Sequence, residues 1–402
     1  MSSHVVSPIA APQEASGHGP QPPRPLRLPL DPLLTLATVG LGICSIVTLD
    51  AATSKLVAGQ PRYYVDRQAT YLVVGLVLMV VLSRVDYSRL RHFMYGIYVA
   101  LVLSILAVLG LGHTANGAQR AINFPLFSFQ ASELGKVLLI LALSALVVNR
   151  SRRLRELDTT ARVMLAALVP AMFVIAQPDL GSGVVYMVIA FTLLFVAGTS
   201  WRQLTALVAL VLMAGAFVFV AAPAAGVHVV NRFQEERLTA FLHPSNNPQK
   251  QGYQQEESKV AIGAGQKTGR GVNATQTKLH FVPEDHTDFI FAAVGEQYGF
   301  VGAAFVLSLY ALLIWRTLRI LTMAKDLFGS LVAAGVVAML MFQVFVNVGM
   351  SIGIMPIAGI TLPLMSYGGS SVITTLLAVG LLQSIYVQAS ASQAMKGRVY
   401  RY

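Results

Sequence analysis

The chain is poor in cysteine and in charge. Its 402 residues include a single cysteine, Cys44, which lies inside an apolar run. Disulfides, iron–sulfur clusters and thiolate zinc sites within the chain are therefore excluded. Charged residues make up only 12% of the chain and hydrophobic residues 55%, with a mean hydropathy of +0.64. A soluble domain does not have this composition, so lipid is expected to surround most of the chain.

The net charge of +11 does not by itself indicate nucleic-acid binding. The basic residues stand in short clusters between apolar runs, which is typical of the cytoplasmic loops of membrane proteins. Residues 1–30 are rich in Pro, Ser and Gln and carry Arg24 and Arg27. We expect a disordered cytoplasmic tail there and recognise no signal peptide.

Ten apolar segments have the length of a membrane span, which predicts an all-α polytopic membrane protein. They run over residues 33–51, 68–83, 93–111, 132–149, 163–178, 181–198, 203–225, 286–315, 329–352 and 370–389. The membrane domain is assigned to residues 31–390, followed by a cytoplasmic tail at 391–402. The eighth segment is longer than a span needs, so it is expected to tilt or to project from the bilayer.

The distribution of Lys and Arg predicts the orientation of the spans. With the N-terminus inside, most cations fall in cytoplasmic segments, and the short outer loops hold only Lys55, Arg62, Arg67 and Arg120. The remaining outer cations lie in one long loop, 226–285, which the positive-inside rule discounts. Both termini are therefore predicted to be cytoplasmic, with the long loop outside. No sequence repeat is evident between the two halves.

Asp288 stands at the outer lip of the eighth segment, where burying an ion is costly without a partner or water. On a helical wheel Ala292, Gly295, Gly299 and Gly302 fall within about 40° of Asp288. Small residues on one stripe let a neighbouring element approach closely. This face is therefore expected to pack inside the bundle, so that Asp288 points toward protein or a wet cavity. A structural ion pair is the alternative to a functional acid.

The fourth segment is preceded by Phe-rich sequence and is expected to begin at Ser132 as its N-cap, with Glu133 in the first turn. Lys136 follows one turn later, inside apolar sequence. Glu133 and Lys136 at this spacing can neutralise each other. The alternative is that Lys136 pairs with Asp288 or holds a phosphate.

Three further outer segments are polar or irregular. Asp179 in "QPDLGSG" lies at a helix break, where it either caps the next helix or has a functional role. The segment 353–371, "GIMPIAGITLPLMSYGGSS", is apolar, but its prolines and glycines bar a continuous helix. Residues 254–265 are predicted to form an amphipathic helix on the membrane surface. Four cations of the long loop would suit an anionic lipid headgroup: Lys259, Lys267, Arg270 and Lys278.

These motifs together resemble the SEDS family, the shape, elongation, division and sporulation proteins. The resemblance rests on "PEDHTDFIFAAVGEQYGFVG" (283–302), "NVGMSIGIMPIAGITLPLMSYGGSS" (347–371), "QPDLGSG" (177–183) and "GAQR…FQASELGK" (117–136). It extends from the first predicted helix to the tenth, and the third motif and the "SYGGSS" stretch look closer to the RodA than to the FtsW branch. The chain departs from the common family pattern at Ala121 and Ala131.

The resemblance implies a ten-helix, metal-stimulated peptidoglycan glycosyltransferase that polymerises lipid II on the outer face of the membrane. It also implies a class B penicillin-binding protein as partner, within the elongation machinery. Asp288 matches the acid of the family's "HTDF" motif, which is taken as catalytic. No tightly bound cofactor is expected, although a divalent cation, Mg²⁺ or Mn²⁺, is compatible with the chemistry. The substrate-binding candidates are Lys136, Arg120, Glu133, Asp179, His286, Glu284, Lys278, Ser366 and Ser370.

Glycan polymerisation needs a base for the acceptor hydroxyl and positive charge for the departing pyrophosphate. Asp288 suits the base, and Lys136 and Arg120, or a divalent ion held by acids, suit the leaving group. Two other classes of protein remain as alternatives. A flippase for lipid-linked precursors would use the same cavity and charges without making a bond, and a scaffold would only recruit the cross-linking enzyme.

Overall fold

The computed structural model describes residues 30–53, 60–115, 118–123, 128–216, 251–278, 281, 284 and 286–399. The predicted tail at residues 1–29 therefore lies outside the described residues. The helices are α1 Pro32–Thr53, α2 Tyr63–Arg84, α3 Met94–Leu111, α4 Ala131–Asn149, α5 Leu157–Ala176, α6 Leu180–Ala197, α7 Trp201–Ala216, α8 Gln251–Gly265, α9 Thr275–Lys278, α10 Ile290–Met323, α11 Leu327–Ser351 and α12 Gly369–Val399. Short 3₁₀ turns cover Tyr87–Phe93, Ser151–Arg153 and Gly271–Asn273.

The all-α membrane fold is confirmed. Nine helices of the described ranges are long and apolar enough to cross a membrane, namely α1–α6 and α10–α12. The seventh predicted segment, 203–225, begins in the apolar helix α7, and its remainder lies outside the described residues. The last helix continues to Val399, beyond residue 390 where the membrane domain was expected to end.

A small antiparallel sheet joins α3 to α4, in the order β1-β2-β3, and the sequence analysis did not predict it. Its strands are β1 His113–Ala115, β2 Ala118–Asn123 and β3 Ser128–Phe129. Ile122 pairs with Phe129, and both side chains pack on the core of the bundle. The sheet therefore seats the chain against the bundle just before α4 begins.

The helices alternate in direction, which gives the bundle two distinct ends. The turns at 85–93, 150–156 and 324–326 lie at one end, which we call the basic end. There Arg91 donates to the Asn149 side chain, and the buried Asp31 pairs with Arg316. The sheet, the 177–179 turn, α8 and the irregular segment 352–368 lie at the other, the loop end. The helices α4, α11 and α12 are the most buried of the spans, so their loop-end termini meet inside protein.

Helix α10 is 34 residues long, about 51 Å at 1.5 Å per residue, and exceeds a hydrocarbon core of about 30 Å. It kinks at Gly299, whose φ of 64° lies in the left-handed region that favours glycine. The turn Gln266–Gly269 docks on this kink. The carbonyl of Gln266 accepts from the N–H of Phe300 at 2.9 Å, and that of Lys267 accepts from Val301 at 3.1 Å. The turn thus replaces the helical hydrogen bonds that the kink removes.

Helix α8 confirms the predicted helix in the long loop, but its buried face contacts protein and not lipid. Gln255 donates to the carbonyl of Met355 at 2.9 Å, and Ser258 donates to that of Ser351 at 2.8 Å. A Cβ at Gly265 would overlap the carbonyl of Gly295, so α8 and α10 are in close backbone contact. The small-residue stripe of α10 therefore lets α8 approach, as expected from the sequence.

Candidate active site

The first part of the site is the N-terminus of α4. The helix begins at Ala131 after Gln130, whose side chain makes no capping hydrogen bond. The expectation that Ser132 is the N-cap is therefore wrong, because Ser132 lies in the first turn. Its hydroxyl donates instead to Oδ2 of Asp179 at 2.9 Å, and Glu133 lies in the first turn as predicted.

Lys136 pairs with Glu133, whose Oε1 lies 2.6 Å from the Lys136 ammonium. The two residues are only 1% and 5% exposed, respectively. Two charges buried to this extent need each other, because removing either partner leaves an uncompensated ion. Of the two alternatives for Lys136, the structure contains the contact with Glu133. A role of this pair in holding the substrate remains a prediction.

Asp179 caps α6 and also connects it to α4. Its Oδ1 accepts from the backbone N–H of Ser182 at 3.1 Å, which is an N-cap. Its Oδ2 accepts from Ser132 and, at 3.4 Å, from the side-chain amide of Gln130. The capping role considered for Asp179 is confirmed. The same carboxylate fixes the relative position of two helix N-termini, where positive dipole ends favour an anion.

The second part of the site is the segment His286–Asp288, whose backbone carbonyls are all hydrogen-bonded to other elements. The carbonyl of His286 accepts from the N–H of Tyr367 at 2.9 Å, and that of Thr287 accepts from the Ser366 hydroxyl at 2.6 Å. The carbonyl of Asp288 accepts from the Asn347 amide at 2.8 Å. The eighth span was predicted to begin at 286, but α10 begins at Ile290, because residues 286–289 form a turn. Asp288 is half-buried at this entrance.

The segment 352–368 bridges the two parts. Ser366 and Tyr367 bind the carbonyls beside Asp288, while at Gly181 a Cβ would lie 2.5 Å from the carbonyl oxygen of Ala358. Just beyond it, Ser370 accepts from the N–H of Gln130 at 2.9 Å and donates to the carbonyl of Ser128 at 2.7 Å. The irregular backbone expected at 353–371 is thus buried between helices, where its polar groups find partners. Ser366 and Ser370 both serve in holding this arrangement together.

Three aromatic rings gather at the 286–289 turn, which contains Asp288. The ring of Tyr64 lies 4.9 Å from those of His286 and Tyr367, centre to centre. Burial raises the pKa of the Tyr367 phenol, and neighbouring Tyr71 raises it further. Tyr367 is therefore a neutral hydroxyl at neutral pH. A cluster of this kind offers flat apolar faces together with polar edges.

For the remaining candidates the structure gives fewer side-chain contacts. Glu284 is exposed, and its carboxylate accepts from the Thr287 hydroxyl at 2.8 Å. Arg120 belongs to β2 and Lys278 ends α9, but their side chains lie outside the described part of the structure. Their proposed contacts with substrate therefore stay predictions.

Two residues of the site escaped the sequence analysis, Glu296 and Asn347. Glu296 is fully buried on α10 and accepts from the N–H groups of Gln276 and Thr277 at 2.9 and 2.7 Å, and from the Thr277 hydroxyl. It anchors the loop that leads to Asp288. Glu296 could have been found from the sequence, because an acid inside an apolar run indicates a buried polar role. Asn347 carries no comparable signal, since its role depends on which carbonyls the fold brings to it.

The comparisons with known proteins agree with one another. The model of a family described as cell cycle protein, FtsW/RodA/SpoVE, matches residues 30–391. A probable peptidoglycan glycosyltransferase FtsW of Thioalkalivibrio sulfidiphilus is 36% identical over 375 residues, covering 91% of each chain. The peptidoglycan glycosyltransferase MrdB of Escherichia coli K12 is 35% identical over 358 residues, covering 89% of this chain and 93% of the relative. These identities do not separate the two branches.

Solved structures show the same likeness. A chain from a peptidoglycan synthase complex, described as coordinating polymerization and crosslinking, superposes with a TM-score of 0.75 at 30% identity. It covers 90% of this chain and 99% of its own length. The rod shape determining protein RodA of Thermus thermophilus superposes with a TM-score of 0.65 at 30% identity, covering 89% and 97%.

Proposed function

The chain belongs to the FtsW/RodA/SpoVE family and is a multi-pass membrane peptidoglycan glycosyltransferase, and from this premise we propose that it polymerises lipid II with Asp288 as general base. The chemistry is assigned to the outer face of the cytoplasmic membrane. The observation that carries the proposal is the bridge made by the 352–368 segment. Through its contacts with the 286–288 turn and with Gly181 of α6, and through Ser370 just beyond it, the Asp288 entrance and the buried Glu133–Lys136 pair belong to one loop-end assembly.

The arrangement supports different chemical roles for the two parts of the site. Asp288 takes the proton from the acceptor 4-hydroxyl as that oxygen attacks the anomeric carbon. The N-termini of α4 and α6, with Lys136 and Arg120, stabilise the departing pyrophosphate. The displacement is a single inverting step with no covalent glycosyl-enzyme. Mass spectrometry of enzyme trapped during turnover should find no glycosyl adduct on Asp288.

A divalent cation would be held mainly by the substrate. No group of three His, Cys, Asp or Glu side chains within the described ranges is placed to hold a metal ion. Magnesium in phosphate sites is commonly bound by one or two carboxylates, several waters and the phosphates themselves. The carboxylates near the site fit an ion that is bound by one or two protein ligands and by the substrate phosphates. They do not fit an ion that is bound by protein ligands alone. Such an ion would supply positive charge to the leaving group.

The distribution of charge supports the outer location. The basic end of the bundle carries the arginine-rich turns and therefore faces the cytoplasm under the positive-inside rule. The loop end, with Asp288, then faces outward, where the disaccharide peptide is polymerised. A class B penicillin-binding protein is the proposed partner, in line with the crosslinking described for the similar synthase complex. The proposed cellular setting is elongation and the maintenance of cell shape.

The test is glycan-chain formation from purified lipid II in detergent with divalent cation, with and without the class B partner. Moenomycin, an inhibitor of a different class of glycan polymerase, is included to suppress contaminating activity. The wild type is compared with Asp288→Asn and with Glu256→Gln, an exposed acid of α8 paired with Lys259. Polymer from the wild type and Glu256→Gln, but none from folded Asp288→Asn, supports the proposal.

Two outcomes would replace it. Movement of lipid II across vesicles without any polymer would assign the chain to the flippase class. Polymer made by the partner alone, in an amount that neither Asp288→Asn nor Lys136→Met of this chain changes when the two proteins are combined, would leave this chain the role of a scaffold.

A further inference from the structure

A groove of about 540 Å³ lies between α1 and α10 and shares no lining residue with the candidate active site. Apolar side chains of both helices, among them Ile43, Val47, Val301 and Phe305, form most of its lining, which also includes Thr268 and Tyr298. Val301 and Phe305 are 60% and 58% exposed on a helix that spans the membrane. The groove is therefore open to the hydrocarbon of the bilayer. A molecule bound in it would contact mainly apolar side chains.

The loop end of the groove is polar and rigid. The hydroxyl of Tyr298 donates to the carbonyl of Val47 at 3.2 Å, which ties α10 to α1 there. Thr268 lines the same end, in the turn that docks on the Gly299 kink. The backbone on both sides of Thr268 is thus fixed against α10, and the groove ends at a defined polar rim.

Two exposed cations, Lys267 and Arg270, flank Thr268 along the chain. Within the described ranges neither forms an ion pair, whereas Lys259, also expected to suit a lipid headgroup, is paired with Glu256 at 2.6 Å. The carbonyl of Lys267 accepts from the N–H of the lining residue Val301, so Lys267 lies at the rim, and with Arg270 it matches an anionic headgroup.

We propose that the groove binds an anionic phospholipid of the outer leaflet, with one acyl chain between α1 and α10 and its phosphate beside Lys267 and Arg270. The apolar lining gives affinity for the chain. The cations select the headgroup, since juxtamembrane Lys and Arg attract anionic lipids with about fivefold preference each. The bound lipid would hold the α10 kink and its docked turn at the membrane surface.

The test uses the full chain in phosphatidylcholine nanodiscs that contain a trace of photoactivatable lipid. The probes are phosphatidylglycerol and phosphatidylcholine with the same diazirine-bearing acyl chain, and labelled peptides are mapped by mass spectrometry after irradiation. We expect the phosphatidylglycerol probe to label peptides 41–48 and 300–306 at least tenfold more than the phosphatidylcholine probe. Equal labelling by the two probes, or labelling spread evenly over the lipid-facing helices, overturns the proposal.

Matched variants distinguish recognition of the headgroup by these two cations from a general effect of positive charge at the loop end. Lys267→Gln with Arg270→Gln should reduce the preference for phosphatidylglycerol by about tenfold or more. Arg62→Gln with Lys259→Gln also removes two loop-end cations, and it should leave the preference unchanged. A second variant, Val301→Trp, fills the exposed wall of the groove and should abolish labelling by both probes at residues 41–48. Unaltered labelling in either test variant contradicts the assignment.

Competition identifies the source of the phosphate. Millimolar inorganic phosphate should not displace the probe, because it has no chain to bury, whereas unlabelled phosphatidylglycerol should. Displacement by stoichiometric lipid-linked pyrophosphate would assign the groove to the substrate. Protection only when a partner's membrane helix is bound would assign it to that helix. Either result would overturn the phospholipid proposal, and none of these readings depends on polymerase activity.

Discussion

Asn347 offers a sharp test of how the bundle holds the segment that contains Asp288. Its side chain is fully buried on α11, and its amide nitrogen donates to the carbonyls of Asp288 at 2.8 Å and Ile360 at 2.7 Å. Asn347→Leu keeps a side chain of similar reach and removes both hydrogen bonds. Gln297 is a matched control, because it is 1% exposed and its amide has no hydrogen-bond partner within the described part of the chain.

The magnitude follows from the groups left behind. Asn347→Leu leaves the carbonyls of Ile360, which is buried, and of Asp288, which is part-buried, without this donor, but it also removes the buried Oδ1 of Asn347, which has no hydrogen-bond partner within the described part of the chain. The free energy of unfolding should therefore fall by about 1–3 kcal/mol. Gln297→Leu has no hydrogen bond to lose and removes a buried, unpaired amide. Its effect on the free energy of unfolding should be neutral or stabilising.

The assay measures unfolding of the purified protein in bicelles together with its polymerisation rate under conditions where each variant is folded. Asn347→Leu should also lower kcat, because the backbone of Asp288 loses a fixed position and a displacement of about 1 Å can reduce a rate about 100-fold. Equal loss of stability in the two variants would refute the reasoning. So would a stable Asn347→Leu protein with unchanged kcat.

Two further predictions concern buried charges. Glu296→Gln replaces a charged acceptor by an amide that cannot accept from all three donors, and the amide of Thr277 should exchange hydrogen about tenfold faster or more. Unchanged exchange in hydrogen-exchange mass spectrometry would contradict the anchoring role. Lys136→Met leaves Glu133 buried without its partner and should lower the free energy of unfolding by about 3–5 kcal/mol. The double variant Glu133→Gln with Lys136→Met should recover most of that stability but not the polymerisation rate. Recovery of both would mean that the pair serves folding alone.

The spans were predictable because hydrophobic runs of membrane length have few alternative structures. Asp179 was also predictable in part, since an acid between two apolar runs commonly caps the second helix. Its hydrogen bond with Ser132 was not, because that contact joins residues 47 positions apart in the chain. For the same reason Ser132 was misassigned as an N-cap, where local sequence favours a serine.

Other features depend on tertiary contacts that no local pattern carries. Helix α10 begins at Ile290 and not at the predicted residue 286. The reason is that the carbonyls of His286, Thr287 and Asp288 accept hydrogen bonds from side chains and backbone of other elements. A helix was expected there because the apolar pattern begins at once after the acid. The kink at Gly299 was likewise hidden, since the glycine was interpreted only as a close-packing residue.

Comparison of the wild type with Asp288→Asn tests the central claim most directly, using glycan polymerisation from purified lipid II with the class B partner present. Asn has nearly the same shape as Asp, but its amide cannot take the proton of the attacking hydroxyl. Loss of polymer in a variant that unfolds like the wild type is the predicted result. Equal polymer from both proteins would contradict the assignment of the base to Asp288.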